Sequence, residues 1–374
     1  MKSIAVIYLG RRGGGPVYAY EMTRGLIENG YRVYAFISAG VENLENWRTL
    51  KTEMTEEIRT YDSEVSFVTR SIAFRAREYS ALKKKYKNVK IDACYIPMAH
   101  TWASYIVNLF PDAQVIDTIH DPIPHSTNRS LYEGLIRLGD KLMKLGVKKR
   151  KPDDIVILSK AFLDCVCQKY EMDAAHVHVI PHGVFDYYQK CGNGRVFTYP
   201  LDKINFLFFG RICAYKGIDV LAEAFRAVKE QLPTSTLTVV GSGDFSAYEQ
   251  LYRDLPDVTV VNEWISDEDV AGYFQTDATL ILVLPYVDAT QSGVIPIAMS
   301  CGVPVIASNT GGLAEQVEDG VTGRLCLPNN AEDLARCMMH CARADNSEII
   351  QNAKDFIQTL SWDRLSAQLG DLVR

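Results

Sequence analysis

The chain has 374 residues, 47% of them hydrophobic and 23% charged, with a formal net charge of −6. That length accommodates two domains of ordinary size, and that composition excludes a disordered or fibrous protein. Apolar runs such as ATLILVLPYV stop at about ten residues, too short to cross a bilayer.

Short apolar runs alternate with longer amphipathic segments from one end to the other. In the first half the predicted strands are Ser3–Leu9, Arg32–Ile37, Val65–Val68, Ile91–Ile96, Gln114–Ile119, Asp154–Leu158 and His176–Ile180. In the second half they are Asn205–Phe209, Thr236–Val240, Val258–Val261, Thr279–Leu284 and Pro304–Ala307. Most are continuous apolar runs, the mark of strands buried on both faces of a parallel sheet flanked by helices. The pattern restarts near residue 204, after CGNGRVFTYPLD. The fold class read from this is α/β, two tandem doubly wound (Rossmann-like) domains over 1–195 and 204–357. The tail from about Gln351 reads as helix, with Trp362 and Leu365 on an apolar stripe. Charge divides along the same line: residues 1–195 carry 28 basic and 22 acidic side chains, residues 196–374 carry 12 and 24. Two domains with different partners have this asymmetry.

In doubly wound sheets ligands bind beyond the carboxyl ends of the strands, so the segment after each strand is a candidate. After the first lies GRRGGGPVYAYEMTRGL, where Gly13, Gly14 and Gly15 allow close backbone approach to a ligand or simply form a flexible turn. The spacing is not Gly-x-Gly-x-x-Gly, and no acid stands where a dinucleotide's ribose would need one. DTIHDPIPH follows the Gln114–Ile119 run, and His120 there can exchange a proton with a substrate hydroxyl or be satisfied by a neighbouring carbonyl. In FLFFGRICAYKGIDVLAEAF, Arg211 and Lys216 flank a loop ahead of a helix, a pairing that suits a diphosphate. VVGSGDF offers Gly241 and Gly243, and Trp264 at a strand's end could lie beside a planar base. Asp267-Glu268-Asp269 contains Asp-x-Asp, but Ser266 followed by acids reads as a helix cap and acidic first turn, and no metal is predicted.

Taken together, these segments resemble the retaining glycosyltransferases of family 4, which have the GT-B fold. The resemblance is strongest over about 204–328, through FFGRICAYKGIDVLAEAF, VVGSGDF, EWISDEDVAGYF, ATLILVLPY and AMSCGVPVIASNTGGLAEQVEDGVTGRLC, and it extends to SWDRLSAQL. The first half is similar more loosely, through YLGRRGGGPVYAYEMTRGLIENGYRV, DTIHDPIPH, ILSKAF and VHVIPHGV. The resemblance implies two domains facing a cleft, with a nucleotide-sugar donor held mainly by the second. It implies that Arg211 and Lys216 grip the diphosphate, that Gly14 and Gly15 lie over the phosphates, and that His120 lies near the transferred sugar. Glu315 falls in a segment facing the donor, and the tail helix, about 358–374, crosses back onto the first domain.

At one point the chain departs from the family's Glu-x7-Glu pattern. Alignment on AMSCG puts Ala289 and Ile297 at the two carboxylate positions. Thr290, Gln291, Ser292 and Gly293 remain as an uncharged loop able to hydrogen-bond a sugar, and Asp288 could replace part of one carboxylate. Pro296 is tolerated only in a helix's first turn, which predicts a start around Ser292–Gly293 with Ser292 as N-cap. The expected activity is metal-independent transfer from a UDP-sugar, or from a dTDP- or GDP-sugar, to a saccharide or lipid-linked saccharide, with no cofactor. The alternative is a catalytically weak sugar-nucleotide-binding or scaffold protein.

Two basic segments remain. In LYEGLIRLGDKLMKLGVKKRK, Leu131, Leu135, Leu138, Leu142 and Leu145 form one helical stripe among lysines, which suits either a core-facing helix or peripheral contact with an anionic membrane. No aromatic-interleaved basic motif points to nucleic acid. Nine scattered cysteines with no Cys-x-x-Cys or zinc spacing, and a start at Met1 without a leader, give the expectation of a cytoplasmic protein with reduced thiols, if peripheral then on the membrane's inner face.

Overall fold

Continuous apolar runs do become parallel strands. The structure, a computed structural model, describes residues 1–61, 66, 69–70, 74–120, 122, 149–184 and 194–374. Contacts divide it into two units, Met1–Gly183 with Trp362–Arg374, and Val184–Ser361.

In the first unit the strands are β1 (Ser3–Tyr8), β2 (Arg32–Ser38), β3 (Met54–Ile58), β4 (Ala93–Ile96), β5 (Gln114–Ile119), β6 (Asp154–Ile157) and β7 (Val177–Val179). They form one sheet in the order β3-β2-β1-β4-β5-β6-β7, and every neighbouring pair is parallel. β1, β4 and β6 are buried along their whole length, as strands covered on both faces must be. β3 was not predicted: it is an edge strand of sequence MTEEI in which only Ile58 is fully buried, so an apolar run cannot reveal it. The predicted strand Val65–Val68 falls largely outside the described residues, as does the leucine stripe from Leu131 to Leu145.

The predicted continuous tail helix is two helices, Ser347–Gln358 and Trp362–Asp371, and they belong to different units. Trp362 and Leu365 are buried in the first unit. There the last helix lies against the first, Gly14–Glu28, so closely that a Cβ at Gly25 would run into Ser366. Asn29 Nδ2 donates to the Asp363 carbonyl at 2.9 Å, and Arg374 pairs with buried Asp154 at 2.8 Å.

The second unit's sheet contains β8 (Asn205–Phe209), β9 (Thr236–Val240), β10 (Val258–Val261), β11 (Leu280–Leu284), β12 (Val305–Ser308) and β13 (Arg324–Cys326). Its order is β10-β9-β8-β11-β12-β13, again all parallel. This unit starts at Val184, ahead of the restart expected near 204, because the intervening segment is tied to it. Arg195 N donates to Asp269 Oδ1 at 2.7 Å, Phe197 stacks on Tyr273 at 5.3 Å, and the Tyr199 hydroxyl donates to the Tyr273 carbonyl.

Chain order sets where each sheet can bind. The order reverses around β1 in the first sheet and around β8 in the second, so crevices open between β1 and β4 and between β8 and β11. Among the described residues, no helix is long and apolar enough to cross a membrane.

Candidate functional site

In the second unit, the loops after β8 and β11 flank the reversal of strand order and are tied to each other. After β8 the chain passes Gly210 and Arg211, makes one tight turn over Ala214–Lys216, and enters the helix Ile218–Gln231 through Gly217. Gly217 has φ 65°, and a Cβ there would run into the Pro285 carbonyl, so glycine is required twice over. Val287 N donates to the Tyr215 carbonyl at 2.9 Å and closes the pairing of the two loops.

This pairing brings Arg211, Lys216 and Ser292 together through two tyrosines. Arg211, exposed, donates to the Tyr215 hydroxyl at 3.3 Å. The Lys216 ammonium lies 3.5 Å from the centre of the Tyr286 ring and 5.1 Å from that of Tyr215. Tyr286 is fully buried, and its hydroxyl shares a hydrogen bond with Ser292 Oγ at 3.4 Å. Burial holds that phenol well above the ordinary tyrosine range.

Gln316 also grips Ser292, by both backbone groups: Oε1 accepts from Ser292 N at 2.8 Å, and Nε2 donates to Ser292 O at 3.0 Å. Thr290 is buried, and Gln291 Oε1 is a buried acceptor without a hydrogen-bond partner. The helix begins at Val294 with Gly293 at its cap position, and Ser292 Oγ accepts from Val294 N at 3.3 Å, so the start lies within a residue or two of that predicted. Ala289 and Ile297 are both buried, at 2% and 4% exposure. A carboxylate at either position would be drawn into the core, which explains why the loop is uncharged in this packing.

Gly243 lies beside the loop after β8. It bridges Ile212, and a Cβ there would run into the Ile212 carbonyl, so only glycine lets the two backbones meet there. Gly243 N donates to Asn262 Oδ1 at 3.2 Å, which links it to the segment after β10. Trp264, on that segment, is 53% exposed and stands at the edge of the sheet, away from the β8–β11 reversal. Glu315 is exposed on the short helix Leu313–Gln316, next to the glutamine that grips Ser292.

Asp267–Val270 is a single helical turn. Ser266 occupies the cap position, but its side chain makes no cap hydrogen bond; its carbonyl accepts from Asp269 N and Val270 N instead. Burial, then the neighbouring Glu268, pushes the Asp267 carboxyl up to about 6, and Asp269 is engaged by Arg195. Among the described residues, no group of three or more His, Cys, Asp or Glu side chains could hold a metal ion.

In the first unit, Gly15 and His120 both meet the loop after β4. Gly15 packs against Tyr8 and Met98, where a Cβ would come within 2.9 Å of the Met98 methyl carbon. Gly14, by contrast, has open space where a Cβ would be. Gly13 N at the helix start already donates to Glu42 Oε1 at 2.9 Å. His120 Nε2 donates to the Pro97 carbonyl at 2.8 Å, and its ring meets the edge of Tyr18 at 4.8 Å. Tyr18 also touches His182 and Trp362, at 5.4 and 5.7 Å between ring centres. His182 is buried, and that burial pushes its imidazole down to about 3. Asp121 and His125 beside His120 lie outside the described residues.

Tyr286 and Gln316 were not singled out from sequence. Tyr286 ends the apolar run ATLILVLPY and reads as core, and Gln316 adjoins the acid that drew attention. The signal that could have found Tyr286 is its place two residues past a strand that borders the reversal of order.

Residues 12–185 match the model of Glycosyltransferase Family 4, and residues 203–343 match that of the Glycosyl transferases group 1. An uncharacterized glycosyltransferase of Methanocaldococcus jannaschii is 25% identical over 380 residues, covering 95% of this chain and 93% of that protein. A D-inositol 3-phosphate glycosyltransferase of Nocardiopsis dassonvillei is 31% identical over 182 residues, 45% of this chain and 42% of its own length. Among solved structures, HepE of Anabaena in complex with UDP-glucose superposes with a TM-score of 0.67 at 16% identity, over 98% of both chains.

Proposed function

The chain belongs to the glycosyltransferases of group 1 and family 4, with the two α/β units of the GT-B fold, and we propose that it transfers a sugar from a UDP-sugar to a saccharide or lipid-linked saccharide with retention of configuration. The observation that carries this reading is the linkage of Arg211 and Lys216, through Tyr215 and Tyr286, to the uncharged Thr290–Gly293 loop at the reversal of the second sheet. As the glycosidic bond breaks, the departing diphosphate gains negative charge and the sugar becomes oxocarbenium-like. Fixed cations stabilise that transition state more than the ground state, so they raise turnover rather than merely tighten binding.

Retention follows if the leaving phosphate takes the acceptor's proton on the face it departs from, and no dedicated protein base or metal is then required. Gln291 Oε1, buried and unpartnered, supports a role in accepting a hydrogen bond from a sugar hydroxyl. Within the first unit, His120, fixed by the Pro97 carbonyl, is proposed to recognise a sugar, and Gly14, open at the helix start, to take a phosphate. The UDP-glucose complex of a structural neighbour supports uridine as the first nucleotide to test, ahead of dTDP and GDP. We place the reaction in the cytoplasm.

The test is release of free nucleotide from a panel of donor sugars, with and without saccharide acceptors, alongside calorimetric binding of UDP, GDP and dTDP. UDP-sugar consumption with UDP binding is the expected result. Absence of both binding and turnover for every donor sinks the proposal. A second reading, donor binding with little transfer, is favoured by Ala289 and Ile297 standing where the resemblance implies carboxylates; tight UDP binding without acceptor-dependent release would select it.

A further inference from the structure

On the reading that Lys216 grips the donor diphosphate, we propose that Tyr286 is a positioning residue that seats the Lys216 ammonium on its ring and the Ser292 loop on its hydroxyl, with Gln316 locking that loop by its backbone. Lysine is a compact charge on a flexible four-carbon stem, so it cannot be pre-organised without a fixed partner. Tyr286 is such a partner. It is fully buried, directly after a strand whose every residue is buried, and the Pro285 carbonyl beside it packs on Gly217, next to Lys216.

The kind of partner matters. A carboxylate beside Lys216 would fix the ammonium by neutralising it, and would repel the phosphate. An aromatic face attracts the cation through its quadrupole and itself adds no countercharge. The ammonium lies 3.5 Å from the Tyr286 ring centre, well inside the range for this interaction.

The same side chain reaches Ser292 with its hydroxyl, at a rather long 3.4 Å. Gln316 compensates with two shorter hydrogen bonds to the Ser292 backbone, at 2.8 and 3.0 Å. The cation and the neutral loop are thereby set relative to each other by two side chains, neither of which is charged.

Separating the ring from the hydroxyl tests this. Tyr286→Leu removes both and is expected to lower kcat about tenfold to thirtyfold. Tyr286→Phe keeps the ring, so it recovers most of that turnover and raises the donor KM about threefold through the loosened Ser292 loop. In a Lys216→Ala background, Tyr286→Leu costs less than about twofold, because the group it seats is gone. Full additivity of Lys216→Ala and Tyr286→Leu overturns the proposal, since it would make Tyr286 an ordinary core residue. A second readout needs no donor: mass-spectrometric measurement of Lys216 acylation by a soluble succinimidyl ester. Acylation is expected to rise severalfold in Tyr286→Leu and stay near wild type in Tyr286→Phe; equal labelling in all three overturns the proposal. A chain that used none of the donors would sink the functional reading, and the labelling would still decide the seat of Lys216.

Discussion

At the carboxyl edge of the first sheet, the buried rings packed around Tyr18 are neutral, although Arg11 and Arg12 follow β1, whereas the matching edge of the second sheet presents Arg211 and Lys216 on a loop tied to its neighbour. His182, pushed down to about 3, is uncharged at physiological pH; Tyr18 and Tyr95 are held protonated by burial; His120 gives its Nε2 proton to a backbone carbonyl. Charge at the first helix start is mixed: Arg11 and Arg12 precede it, with Arg11 turned to the Tyr61 carbonyl, and the Glu42 carboxylate accepts from Gly13 N. The same reversal of strand order therefore carries different electrostatics in the two sheets. Whole-domain charge runs the other way, since the first half is net basic and the second net acidic. Local placement at strand ends, rather than domain charge, decides where a leaving group can be stabilised.

The sharpest way to break this contrast is to remove the cations. Arg211→Ala and Lys216→Ala are each expected to lower turnover about 10²-fold, measured as nucleotide release at saturating donor. Their thermal melts should stay close to wild type, because Arg211 is exposed and Lys216 half-buried. If both variants turn over normally, charge stabilisation does not reside at the second edge.

The neutrality of the rings around Tyr18 has a pH signature. A buried histidine with its folded-state value near 3, against about 6.5 unfolded, binds its proton more readily in the unfolded chain. Its contribution to stability is complete above pH 6.5 and is lost progressively as pH falls toward 3. At pH 5 the loss is about 2 kcal/mol. Urea midpoints of wild type and His182→Gln, compared at pH 7.5 and 5, check this: the variant should lose less stability over that interval. Equal losses would mean that His182 is not what keeps these rings uncharged.

Much of this contrast was legible in the sequence, and the illegible parts have physical causes. Most strands of both sheets are apolar runs because parallel strands are covered on two faces, so eleven of the thirteen described were predicted and β3 and β13 were passed over. β3 sits at an edge, and Arg324–Cys326 is three residues with one fully buried. Arg211 and Lys216 were legible because strand-end cations are conspicuous in an acidic half. Tyr286 was not, since its function depends on which ring a lysine happens to cross, and Gln316 was not, since its partner lies 24 residues away in sequence. Ser266 shows the converse: the cap signature was present, yet the backbone carbonyl alone serves the helix.

The smallest effect asks how far recognition at the second edge extends. Trp264 stands after the edge strand β10, linked to the Arg211 loop only through Asn262 and Gly243. If the uracil base lies on it, Trp264→Ala weakens UDP binding about fivefold, since an exposed ring supplies less stacking than a buried one. Stability should change by less than about 0.5 kcal/mol, as expected for an exposed side chain. Fluorescence gives an independent check, because Trp47, Trp102 and Trp362 are at most 2% exposed and all lie in the first unit. Quenching on addition of UDP therefore reports Trp264 and should vanish in Trp264→Phe. UDP affinity that is indifferent to Trp264 would confine recognition at this edge to the loops after β8 and β11, with the cations and their tyrosines as its outer limit.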